Sequence, residues 1–192
     1  MVTGMSEPPR LTIDAQPHLI EAIKAVSGLL IRLRVEYVFV GSLATAAWLS
    51  EKVEGGSVDV LAAVSPEGKN QIPMMASQRG FVVDRDELLA AEELDLIPLQ
   101  FPILGRTVRI HVLIASNALY GNMFRTSVEA DVNEQALIRV PSAEDLALLL
   151  TVGGDEGSVL LRRRLMEKAG KSFNRDRFNR KLYSIGLAGE MI

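Results

Sequence analysis

Tyr37-Val-Phe-Val-Gly41-Ser42-Leu-Ala-Thr-Ala-Ala-Trp48-Leu-Ser50, followed by Glu51-Lys-Val-Glu-Gly55-Gly56 and Ser57-Val-Asp59-Val-Leu-Ala-Ala-Val64, is the stretch that decides the fold. Tyr37–Val40 predicts an apolar strand, and Ser42–Ser50 a short helix with Trp48 buried. Gly55-Gly56 is a turn, and Val58–Val64 a second apolar strand whose lack of alternation predicts burial on both faces. Gly41 permits a sharp turn or a close approach of backbone to a ligand. Ser42 is placed as the N-cap of the helix. A Gly-Ser turn at a helix start can present backbone N–H groups to a phosphate, or can simply be the turn the fold needs. Ser57 and Asp59 lie two apart on a strand and so share one face.

Outward from this unit, Pro17–Arg34 has apolar residues at helical spacing, among them Leu19, Ile20, Ile23, Val26, Leu29 and Leu30. Pro66–Arg79 predicts a crossover helix, and Phe81–Val83 a third strand. Leu94–Ile103 and Arg106–Ile114 predict a hairpin around Leu104-Gly105. Ala115–Asp131 is expected to be helix and loop, and Ala136–Val140 a short strand. Pro141 and the cap-like Ser142 open a helix that Gly153-Gly154 ends. Ser158–Lys168 and Asn174–Ile185 predict two more helices. The fold class that follows is α/β, a small mixed sheet with flanking helices and a C-terminal helical region. Its divisions are a flexible arm over 1–15, an α/β core over 16–140 and the helical region over 141–192.

The arrangement of Gly41-Ser42 after a strand, a helix, and then Ser57-x-Asp59 on the next strand resembles the nucleotidyltransferase fold. It is most similar to the toxin-like branch known from abortive-infection systems. Pro141-Ser-Ala-Glu-Asp-Leu146 resembles that family's opening of its C-terminal helices. The resemblance implies two Asp residues on the second strand and a third carboxylate on a later one. Together they hold Mg²⁺ ions around a nucleotide triphosphate, whose phosphate charge the ions neutralise. It also makes Gly41 and Ser42 the nucleotide-binding turn and Asp59 a metal ligand.

The chain departs from that pattern at several positions. Ser57 stands where the first Asp belongs, and His111 where the third carboxylate belongs. Val53 and Gly55 occupy positions that often hold Arg and Thr, and Leu148–Leu150 the region of a usual Lys. The expectation is a degenerate metal site in a non-catalytic binding or regulatory module, with no cofactor. The alternative is an active transferase moving a nucleotide from a triphosphate to RNA or protein, for which Mg²⁺ is the cofactor. Asp59 is then either a remaining ligand or a strand-end carboxylate satisfied by backbone donors. His111 is a ligand for a softer metal or a hydrogen-bonded strand histidine. Arg109 shares its strand face and favours an anion there. The acidic cluster Asp84, Asp86, Glu87, Glu92, Glu93 and Asp95 either supplies replacement carboxylates or is solvated.

Composition narrows the classes. The 192 residues suit one domain with an appendage. A 48% hydrophobic content allows a sizeable core. The absence of Cys excludes disulfides and thiolate metal sites and fits a cytoplasmic location. No run reaches the length of a membrane span, so no membrane is expected as a partner. Arg162–Lys181 carries nine Lys or Arg against two acids in a chain of net charge −3, so the rest of the chain is acidic. Arg162, Arg163, Arg164, Lys168 and Lys171 form a basic patch suited to nucleic acid or an acidic protein partner, or a solvated helical face. Phe173 and Phe178 are expected in the core rather than as stacking platforms.

Overall fold

A computed structural model describes residues 11–53, 55–116 and 120–192. In chain order the elements are β1 (Leu11–Ala15), α1 (Pro17–Arg32), β2 (Glu36–Phe39), α2 (Gly41–Leu49), β3 (Lys52–Val53) and β4 (Ser57–Ala63). Next come α3 (Pro66–Lys69), α4 (Gln71–Ser77), α5 (Arg85–Ala90), β5 (Leu96–Ile103) and β6 (Arg106–Ile114). The chain ends with α6 (Met123–Thr126), β7 (Val128–Val132), β8 (Ala136–Val140), α7 (Ala143–Gly153), α8 (Glu156–Ala169) and α9 (Arg175–Ser184). The α/β class expected from the sequence is observed.

The strands make two four-stranded sheets, ordered β2-β4-β6-β5 and β3-β1-β7-β8. In the first, β4 runs antiparallel to β2 and parallel to β6, and β5 closes an antiparallel hairpin with β6. The hairpin turn is Leu104-Gly105, with φ of +51° and +71°. Positive φ at both central residues matches the twist of the strands it joins.

The faces of the first sheet differ. Val58, Val60, Ile110 and Val112 are fully buried. Successive side chains on a strand point to opposite faces, so Ser57, Asp59, Arg109 and His111 project from the other side. α1 packs across β4, β5 and β6 and against α4, and buries Leu19, Ile20, Ala22, Ile23, Val26, Leu29 and Leu30. Each buried Leu or Ile contributes on the order of 2 kcal/mol. The expected burial of β4 on both faces holds only for Leu61 and Ala62; Ser57 and Asp59 stay half-buried.

Several elements differ from the sequence expectation. Leu11–Ala15, placed in the arm, is a strand paired in parallel with β7 and β3; the rest of the arm, 1–10, lies outside the described residues. Val128–Val132, placed in helix and loop, is a strand antiparallel to β8. Of that segment, 117–119 lie outside the described residues. Pro66–Arg79 is two short helices rather than one. Pro73 lacks the N–H that would bond back to Lys69, so the ladder breaks between them. Phe81–Val83 contributes a single bridge, Val82 to Gln100. Gly80 at φ +82° bends the chain just before it, and Asp84 starts α5 just after. Phe173 and Phe178 are buried with ring centroids 5.5 Å apart, as expected of core residues.

Candidate functional site

The parallel register of β4 and β6 pairs Ser57 with Arg109 and Asp59 with His111. His111 Nδ1 lies 2.7 Å from Asp59 Oδ1. An ionised carboxylate only accepts, so Nδ1 donates and carries the proton. Both side chains are partly open to solvent, 25% exposed for Asp59 and 36% for His111. The His111 pKa is raised above 6.5, first by the hydrogen bond to Asp59. Burial acts against the rise; the Asp59 charge adds to it, Arg109 opposes it and Glu87 adds to it. The pair is a protein-internal hydrogen bond, and an ion pair whenever His111 is protonated, at the position where sequence reasoning set a metal ligand beside a misplaced histidine.

Gly41 closes the other side of Asp59. Its φ is +61°. A Cβ built on it falls 2.4 Å from Asp59 Oδ2, closer than any real contact. Glycine is therefore required at 41 twice over, by the backbone conformation and by the carboxylate lying against it. Ser42 does not cap α2: the helix starts at Gly41, Val40 precedes it, and no side chain caps it. The positive φ of Gly41 makes the turn one residue earlier than the sequence suggested. Thr45 Oγ1 donates to the Gly41 carbonyl at 2.9 Å, and Trp48, buried as expected, donates its Nε1 to the Pro141 carbonyl at 3.0 Å. The far end of α2 is thus anchored to the segment that opens α7.

The acidic cluster is dispersed. Asp84 accepts from the N–H groups of Asp86 and Glu87 and caps α5. Glu87 accepts from Gln100 Nε2 at 3.2 Å, and Asp95 pairs with Lys69 at 3.5 Å. Among the described residues, no group of three or more His, Asp or Glu side chains is placed to hold a metal ion.

The basic patch is divided. Arg162 donates to Thr151 at 2.9 Å and to Glu190 at 3.2 Å, and Arg164 pairs with Glu51. Arg163, Lys168 and Lys171 are exposed and make no ion pair among the described residues. Arg177 and Lys181 turn inward to Asp145.

Asp145 is the polar group that sequence reasoning missed. It is fully buried. It accepts from Thr126 Oγ1 at 2.6 Å, Ser142 Oγ at 2.8 Å, Arg177 and Lys181. Its neighbour Glu144, also buried, accepts from the Asn174 N–H at 2.7 Å. The Pro141–Leu146 segment therefore ties α9 and the turn before β7 to α7. The available signal was Arg177 and Lys181 at i,i+4 spacing, beside the apolar stripe Phe178 and Leu182.

No protein-family model and no curated protein matches the chain. Solved structures do. The ANT(2″)-Ia structure in complex with adenylyl-2″-tobramycin is 12% identical over 88% of this chain and 97% of that one, with a TM-score of 0.50. An antigenic nucleotidyltransferase-like protein from Paracoccidioides brasiliensis is 14% identical over 92% of this chain and 90% of that one, with a TM-score of 0.48. A CCA-adding enzyme solved with ATP aligns with 88% of this chain and 48% of its own, at 10% identity and a TM-score of 0.37. The fold is nucleotidyltransferase-like. No helix among the described residues is long and apolar enough to cross a membrane.

Proposed function

We propose that this protein is a nucleotidyltransferase-fold binding or regulatory module, of the toxin-like branch and cytoplasmic, in which the metal centre has been replaced by an ion pair. The supporting observation is the 2.7 Å hydrogen bond from His111 to Asp59. Mg²⁺ binds one or more carboxylates together with water and substrate oxygens, and is released when ligand charge is short. The donors here are one carboxylate already engaged by an imidazole, one neutral hydroxyl at Ser57, and a guanidinium at Arg109 directly across from it. Mg²⁺ is a poor match for that set, and no chemical step is assigned to it. In this reading Gly41 and Ser42 remain the turn that faces a nucleotide's phosphates.

Calorimetric titration with ATP and Mg²⁺ tests this. The expected result is no tight Mg²⁺-dependent binding in the wild type. The double substitution Ser57→Asp with His111→Asp is expected to create cation affinity, because it supplies two carboxylates on the face of Asp59. A tight Mg²⁺-dependent signal in the wild type that disappears in Asp59→Ala would return the protein to the active transferases. Failure of the double variant to gain affinity would show that these positions do not form the metal site at all.

A further inference from the structure

We propose that the groove between β5, β6 and α5 binds an organic oxyanion, a phosphate or carboxylate on an apolar body, held by Arg109 without a metal ion. The groove encloses about 300 Å³, the lower end of the range for small-molecule sites. Its walls are mainly apolar, from Ala90, Ala91, Leu94, Leu96 and Pro98. Four polar residues line it, Arg109, His111, Gln100 and Glu87.

Those four are arranged so that the positive end is left open. Gln100 faces Arg109 across the hairpin and His111 faces Pro98, so Arg109, His111 and Gln100 stand on one face. Gln100 Nε2 donates to Glu87 Oε2 at 3.2 Å. The one carboxylate of the groove is thereby held by a neutral amide rather than by the guanidinium. Arg109 makes no ion pair and no side-chain hydrogen bond among the described residues. A guanidinium presents a planar fork of donors that fits a carboxylate or phosphate at two oxygens. Since His111 Nδ1 is taken by Asp59, its Nε2 is the nitrogen left to meet a ligand. A cationic ligand would meet Arg109 at short range, whereas an anion would pair with it and lay its apolar part along Ala90, Leu94 and Pro98.

This site shares Arg109 and His111 with the reading above but requires only that no metal ion is needed for binding. The experiment separates the two. The full-length protein, treated with a chelator, is titrated with phenyl phosphate and with benzoate while backbone and arginine side-chain ¹H–¹⁵N resonances are followed. Binding of at least one probe is expected, with shifts at Ala90, Ala91, Leu94 and the Arg109 side chain. The probe that binds tighter tells phosphate from carboxylate. Arg109→Gln, an exposed strand substitution, should weaken binding about tenfold, the size of one lost charge-assisted contact. Glu87→Gln should tighten it a few-fold by removing the competing carboxylate. Neither probe binding, shifts confined to other surfaces, or an affinity indifferent to Arg109→Gln in a protein with native spectra would each overturn the proposal. Binding that appears only on adding Mg²⁺ would also overturn it, and would count against the proposed function as well.

Discussion

Asp59 and Asp145 both accept hydrogen bonds from side chains, yet their surroundings are opposite. Among the described residues Asp59 has one side-chain hydrogen-bond partner, His111, and it is a quarter exposed. Asp145 has two hydroxyls, a guanidinium and an ammonium around it and no exposure. A buried carboxylate with four donors around it holds helices together and offers little to a ligand. A carboxylate with one partner, on an open face, keeps capacity for one. Matching a motif brought Asp59 to notice; the stronger polar network belongs to the residue that no active-site motif marks.

The contrast can be broken most directly at Asp145. Asp145→Ala leaves Lys181 and Arg177 without their buried counter-charge, and is expected to lower unfolding stability by about 3 kcal/mol. Urea denaturation measures it. A loss as small as a surface substitution would mean that the two cations simply hydrate and that the node holds nothing.

Gly41→Ala comes next. The side chain must be accommodated at φ +61° and against Asp59 Oδ2. The left-handed conformation alone costs about 1–2 kcal/mol, and displacement of the Asp59 carboxylate should add to it. The same denaturation experiment applies, with the His111 resonances reporting whether Asp59 has moved. An unchanged midpoint and unchanged His111 resonances would show that the close approach is not a constraint.

Asp59→Asn sharpens the comparison by pH. The folded His111 pKa is raised above its ordinary 6.5. The stability from the Asp59–His111 pair is therefore fully present below about pH 6.5, and is lost as pH rises through the raised folded value. In Asp59→Asn the His111 pKa should fall and this pH dependence should flatten. An NMR titration of His111 gives the first and thermal unfolding at pH 5.5 and 8.5 the second. A His111 pKa that does not fall in the variant would mean that Asp59 is not what raises it.

The smallest effect on stability is expected on the outer face of the C-terminal helices. Arg163, Lys168 and Lys171 changed to Ser should shift stability by no more than about 0.5 kcal/mol. If that face contacts RNA, binding should fall steeply with salt and fall again in the triple variant, because phosphate contacts release counterions. Binding indifferent to both salt and the substitutions would remove RNA as a partner. Arg162 and Arg164, already paired with Glu190 and Glu51, should matter less than the three.

The sequence by itself determined the elements whose signals are local. Helical spacing gave α1, the paired turn Leu104-Gly105 gave the β5–β6 hairpin, and Gly41 marked the turn into α2. These depend on residues within a few positions of one another, so their periodicity and turn chemistry can be read along the chain. β1 escaped because it pairs only with strands distant in the chain, β3 and β7. The β7–β8 turn also carries Asn133-Glu134 at positive φ rather than the Asn-Gly that announces a hairpin. The resemblance had already set Asp59 and His111 at one site; only the tertiary structure decided that they bond to each other. The register of β4 on β6 brings His111 to Asp59, 52 residues away, and the packing of α9 on α7 brings Lys181 to Asp145, 36 residues away. No local rule encodes those distances. They follow from which apolar faces can be buried together, and that is settled only when the whole chain packs.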